Sequence, residues 1–237
     1  MIVFWRLLFA LMLTDLVFQP KKFYDWEMRS AAAKFIHLAI FFILAYAFNF
    51  KYLDVTWFQI GPLALNGIAS LVLFSVLHYA LDLIFERPDD YQNGMPRTVK
   101  IIWHKIMMVW AVFIISPDIG LAEGRNLFPE PWLIAACGLI LVTGHAKNII
   151  CSYEFDFYNI KQASPDEVYF TALQRAVMYG FCLMPGYSWL LWCAAWFGLS
   201  WYAVSRRFFD VSKFSLYYGA VFALITGVLV RIIIYIL

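Results

Sequence analysis

Leu77-His78-Tyr79-Ala80-Leu81-Asp82 stands near the end of an apolar run that begins around Ile60. A helix turns about 100° per residue, so His78 and Asp82 are only about 40° apart on its surface and one turn apart along it. Two ionisable groups on one face of a helix otherwise made of Leu, Val, Ile and Phe are expensive in hydrocarbon and call for partners. The setting is hydrocarbon because the whole chain reads that way. Of its 237 residues 63% are hydrophobic and only 14% charged, against about 25% charged in a soluble domain.

Apolar stretches of membrane-spanning length recur from end to end. Eight can be marked, at 2–18, 32–49, 58–84, 98–116, 132–151, 166–184, 187–206 and 215–236. Breakers separate them: Gln19-Pro20, Arg87-Pro88, Asn93-Gly94, Ser116-Pro117, Pro129 to Pro131 and Pro185-Gly186. The expected fold is an all-α polytopic membrane bundle of about eight transmembrane helices. Residues 1–116 form a half that carries the His and Asp residues, and 117–237 a half rich in aromatics. The first run has no small-x-small cleavage site after it and reads as a retained span. Ser164-Pro165-Asp166-Glu167 makes a capping box for the sixth segment. Arg175 sits mid-segment there; it either snorkels or pairs in a spanning helix, or residues 165–175 lie in the interface.

Orientation follows from the basic residues. The odd connections and their flanks hold Lys21, Lys22, Arg29, Lys34, Arg87, Arg97, Lys100, Lys105, Lys147, Lys161, Arg206, Arg207 and Lys213, while the even ones hold Lys51 and Arg125. Thirteen against two puts the odd loops in the cytoplasm and both termini on the far side. Trp5, Trp57, Trp132 and Trp189 then fall near the outer interface, where amphipathic rings are favoured.

With that topology the intramembrane ionisable groups sort to one depth. Asp15, His37, His78, Asp82, His104 and His145 all fall at the cytoplasmic ends of their spans, within roughly 10 Å by helical rise. Three readings compete. The first is a metal site: imidazoles and carboxylates are the usual ligands of zinc and other first-row divalent metals. His37, His78, Asp82 and His104 are the candidate ligands, with Asp15 or Asp82 as the catalytic carboxylate beside a metal-activated water. The second is a proton or ion relay, although the outer halves of the spans offer only neutral groups such as Asn66 and Ser70. The third is polar glue between helices.

These residues resemble the pattern of a bacterial membrane family known as domain of unknown function 3307. Asp15 and Gln19 at the end of the first span, His37 opening the second, His78 and Asp82 closing the third, and His104 in the fourth carry the resemblance. It covers residues 1 to about 116 and implies a bacterial inner-membrane location; it implies no activity. Where that family often has a histidine four before the first aspartate this chain has Leu11, and its Asp-Gln before the last histidine falls on Lys100 and Ile101. Each departure removes a potential ligand.

Other features read more plainly. Cys137, Cys151, Cys182 and Cys193 show no metal spacing and read as buried small hydrophobes. Glu154 and Asp156 fall among aromatics in a long connection, as an interfacial or partner-docking segment. Asp89-Asp90 reads as a solvated turn. Ala194, Ala195 and Gly198 would permit close helix packing. There is no basic tract for nucleic acid, no glycine-rich phosphate loop, no G-x-S-x-G and no H-E-x-x-H. The expected partners are the lipid bilayer and membrane proteins docking on the aromatic second half. The function classes in play are a membrane-embedded metal site supporting hydrolysis, a non-catalytic subunit of a membrane complex, and a small transporter.

Overall fold

The computed structural model describes residues 2–17, 26, 30–85, 96–116, 130–159 and 164–235. Gln19, Lys21, Lys22, Arg29, Arg87, Arg125, Lys161 and the Asp89-Asp90 turn lie outside them. The described chain is helical, with eight rods at the places the apolar runs mark. They are α1 (Ile2–Val17), α2 (Ala31–Asn49), α3 (Gly67–Phe85), α4 (Arg97–Ile115), α5 (Pro131–Tyr158), α6 (Pro165–Cys182), α7 (Ser188–Ser205) and α8 (Lys213–Tyr235). Five of these, α2 to α5 and α8, are long and apolar enough to cross a membrane. The described residues of α1 number 16. The chain divides into two compact units, Met1–Leu133 and Ile134–Leu237.

In the first unit the third apolar run is not helical throughout. Residues 58–84 were expected to form one span, but β1 (Thr56–Ile60) and β2 (Leu63–Asn66) make an antiparallel hairpin before α3 begins. Ile60 pairs with Leu63, which leaves Gly61-Pro62 as a two-residue loop. Gly61 has φ +57°, the positive value a tight hairpin needs at its first loop position. Asn66 then caps α3, its Oδ1 accepting from Ala69 N at 3.0 Å. Trp57 of this hairpin is buried, and its Nε1 donates to Tyr52 O at 2.7 Å.

Helix α2 buries one residue per turn or so, Ala33, His37, Phe41, Ala45 and Asn49, a narrow stripe at i, i+4 spacing. Phe41 meets Phe74 of α3 with ring centroids 5.1 Å apart. Leu7, Leu71, Met108 and Val112 complete the core from α1, α3 and α4. Arg6 ties this unit at its other end. Its Nε and Nη2 donate to Glu130 at 2.9 and 2.5 Å, and its Nη1 to Phe48 O at 2.8 Å. The two-pronged geometry matches a carboxylate.

In the second unit α5 is interrupted by one π turn, Leu141–His145. The wider turn loosens the carbonyl ladder, and Arg175 of α6 takes up the freed groups. Its Nε donates to Val142 O at 2.7 Å and its Nη2 to Thr143 O at 3.3 Å. Arg175 has no exposed surface, so it pairs inside the protein and does not snorkel. Gly219 of α8 makes the room, since a Cβ there would stand 3.3 Å from the Arg175 Cδ and Nη1.

Half of the expected capping box forms: Ser164 Oγ accepts from Glu167 N at 3.0 Å. The Glu167 side chain goes elsewhere, accepting from Ser212 N at 3.1 Å. Ser212 Oγ donates to Glu154 at 2.5 Å. Helix α5 runs on to Tyr158 where a loop was expected after residue 151, and Glu154 within it is an internal acceptor, buried inside the fold. Cys137, Cys182 and Cys193 are buried, Cys151 is half-buried, and all four are free thiols.

The small residues that pack tightly are not those the sequence suggested. Ala194, Ala195 and Gly198 are exposed, and nothing lies within 4 Å of a Cβ built at Gly198. Gly227 of α8 carries the close approach instead: its Cβ would stand 2.6 Å from Cys182 Cβ. Gly227→Val therefore overpacks the α6–α8 contact and should cost about 2–3 kcal/mol. Gly198→Val should change stability by less than about 0.5 kcal/mol. Unfolding of the two variants in detergent, followed by circular dichroism, checks the contrast.

Candidate metal centre

Four helices of the first unit each bring ionisable groups to one buried spot. Asp15 lies in the last turn of α1, His37 in the second turn of α2, His78 and Asp82 in the last two turns of α3, and His104 and Lys105 in the third turn of α4. The antiparallel run of α2 against α3 follows from two ring contacts. His37 meets His78 edge-on at 5.6 Å, and Phe41 meets Phe74 one turn further in.

The contacts form a chain. Lys105 Nζ makes a short ion pair with Asp15 Oδ2. Asp15 Oδ1 lies 3.4 Å from His37 Nε2. His37 packs on His78, whose Nε2 lies 3.5 Å from Asp82 Oδ2. Asp82 Oδ1 lies 3.0 Å from His104 Nε2, off the axis of a hydrogen bond, so that contact is electrostatic rather than directional. Phe41, Phe74 and Phe85 wall the imidazoles in. All three histidines and Asp82 are buried.

Within this chain Asp15, His37 and His78 each offer one ligand atom, and the three atoms lie within 4.8 Å of one another. Donors that share one ion at 2.0–2.2 Å sit closer than this, so side-chain shifts of about 1 Å would close the set. His78 is suited to the role: with Nε2 turned to Asp82, its buried Nδ1 has no hydrogen-bond partner. A histidine that gives one nitrogen to a carboxylate and keeps the other for an ion is the usual carboxylate–histidine–metal arrangement.

All five residues singled out from the sequence thus come together, though their places differ from the expected ones. Asp15, expected as ligand or base, stands among the three convergent groups. Asp82 and His104, expected as ligands, form an outer pair behind His78. His145 belongs to the second unit, in its π turn. Lys105 is a charged neighbour of the cluster that the sequence reading used only for topology. Its position directly after His104 was the available signal.

Comparison of the chain with protein-family models, curated proteins and solved structures finds no match. The site therefore rests on its own geometry.

Proposed function

We propose that the first unit holds a divalent first-row metal ion, zinc being the simplest, on Asp15, His37 and His78. The carrying observation is the buried convergence of three ligand atoms together with the uncommitted Nδ1 of His78. Asp82 orients His78, and His104 holds Asp82 in turn. A bound metal would supply a polarised water for hydrolysis. The residues of the chain exclude bulk solvent through Phe41, Phe74 and Phe85. The protein is multi-pass, with the site at the cytoplasmic side of a cell membrane, which the family resemblance implies is the bacterial inner membrane.

The test is elemental mass spectrometry of the protein purified in mild detergent without chelator. About one first-row metal per chain supports the reading. A metal-free protein that also fails to take up zinc on titration sinks it. One observation favours a second reading, in which the groups only hold helices together. The Lys105 ion pair already neutralises Asp15, and the exposed apolar face of α7 would then suit a non-catalytic subunit that docks on partners in a larger membrane complex.

A further inference from the structure

We infer that Cys182 and Cys193 form a redox site: a hydroperoxide converts the two thiols to a disulfide, which clamps α7 to α6. Both cysteines belong to the second unit, so the site is independent of the proposed metal centre. Cys182 is the last residue of α6, and Cys193 lies in the second turn of α7. Their sulfurs are 3.8 Å apart across the helix contact, about 1.8 Å more than a disulfide bond. Rotation about the two Cα–Cβ bonds can close a gap of that size. The neighbours hold the pair together. Cys193 S–H donates to Met178 O at 3.6 Å, one turn before Cys182 on α6. A Cβ at Gly227 of α8 would stand 2.8 Å from Cys182 Sγ, so that sulfur is confined between α8 and α7.

A clamp has consequences here because α7 is held weakly. Of its 18 residues only Cys193 and Ser200 are buried, so few apolar contacts oppose its local opening. Leu191, Trp192, Ala194 and Ala195 around Cys193 are exposed, which puts the pair one side chain below the surface. A small apolar oxidant reaches it when α7 opens. On the orientation read from the basic residues, this end lies away from the cytoplasm and its thiol reductants. The chemistry balances with one hydroperoxide. One thiol attacks the peroxide, the O–O bond breaks, and its proton leaves with the alcohol while a sulfenic acid remains. The second thiol attacks that sulfur, the S–S bond forms, and its proton leaves with the hydroxyl as water. The thiols lose two electrons and the peroxide gains them.

The experiment uses the full chain in lipid nanodiscs, treated with cumene hydroperoxide, then denatured and blocked with N-ethylmaleimide for intact-mass analysis. The reduced chain takes a maleimide on each of its four cysteines. The oxidised chain should take two fewer and yield a linked peptide pair that joins Cys182 to Cys193. Dithiothreitol should restore full labelling. Cys182→Ser and Cys193→Ser should each abolish the linked pair, whereas Cys137→Ser and Cys151→Ser should keep it. Amide exchange across α7 should slow about tenfold in the bridged form, below the ceiling for cross-linking so short a loop. Full labelling after oxidation, sulfinic acids in place of a bridge, or a bridge through Cys137 or Cys151 overturns the site. A Cys182–Cys193 bridge that leaves α7 exchange unchanged overturns the clamp.

Discussion

His78→Ala should take the metal content from about one per chain to below about a tenth while the helices stay assembled. The variant removes the donor whose Nδ1 is uncommitted and whose other nitrogen faces Asp82. Asp82→Ala should act more mildly, weakening the metal 10–100-fold, because it removes the group that orients a ligand and no ligand itself. Lys105→Met is the discriminating variant. Its ammonium competes with an incoming cation for Asp15, so its loss should tighten metal binding in a zinc titration. If the groups are only glue, Lys105→Met instead leaves a buried carboxylate without its countercharge. The protein then unfolds at lower denaturant and still takes up no metal.

Arg175→Ala should lower the stability of the second unit by about 2–4 kcal/mol. Two carbonyls of the π turn lose a charged donor, at roughly 1.5–3 kcal/mol for each such bond. A fully buried large side chain also leaves a cavity. Relief of the buried guanidinium's desolvation offsets part of this, which is why the expected loss is less than the sum. Arg175→Met restores most of the volume and none of the bonds, and should recover about half. Denaturant unfolding in mixed micelles separates the three proteins. An Arg175→Ala variant as stable as the parent would mean that the π turn satisfies its own carbonyls.

Much of the architecture was legible because length and hydropathy act over whole helices. Each of the eight rods lies on an apolar run, and the i, i+4 spacing of His78 and Asp82 located the site. What escaped depends on contacts between distant residues. The hairpin at 56–66 runs directly into the helix after it, and its Phe58, Ile60, Leu63 and Leu65 read as the start of the same apolar run, although Gln59, Gly61-Pro62 and Asn66-Gly67 mark the break. Lys105 reaches Asp15 across ninety positions of sequence, and a lysine counted for topology shows nothing of that reach. Glu154 looked like a loop residue because its acceptor role is completed by Ser212, on the approach to α8. Gly198 looked like a packing residue because smallness is visible in sequence and a neighbour is not.

The hairpin has a consequence for the distant imidazoles. It links α2 to α3 with almost no slack: Gly67 N bonds to Leu53 O at 2.8 Å, and a Cβ at Gly67 would stand 2.6 Å from Leu53 Cα. The joint therefore works as an indexing pin, setting the angular phase of α3 from the end opposite the histidines. A residue inserted at the Gly61-Pro62 tip would only lengthen a loop. The same residue inserted after Gly67 would turn everything beyond it by about 100°, carrying His78 away from His37 with both side chains chemically unchanged.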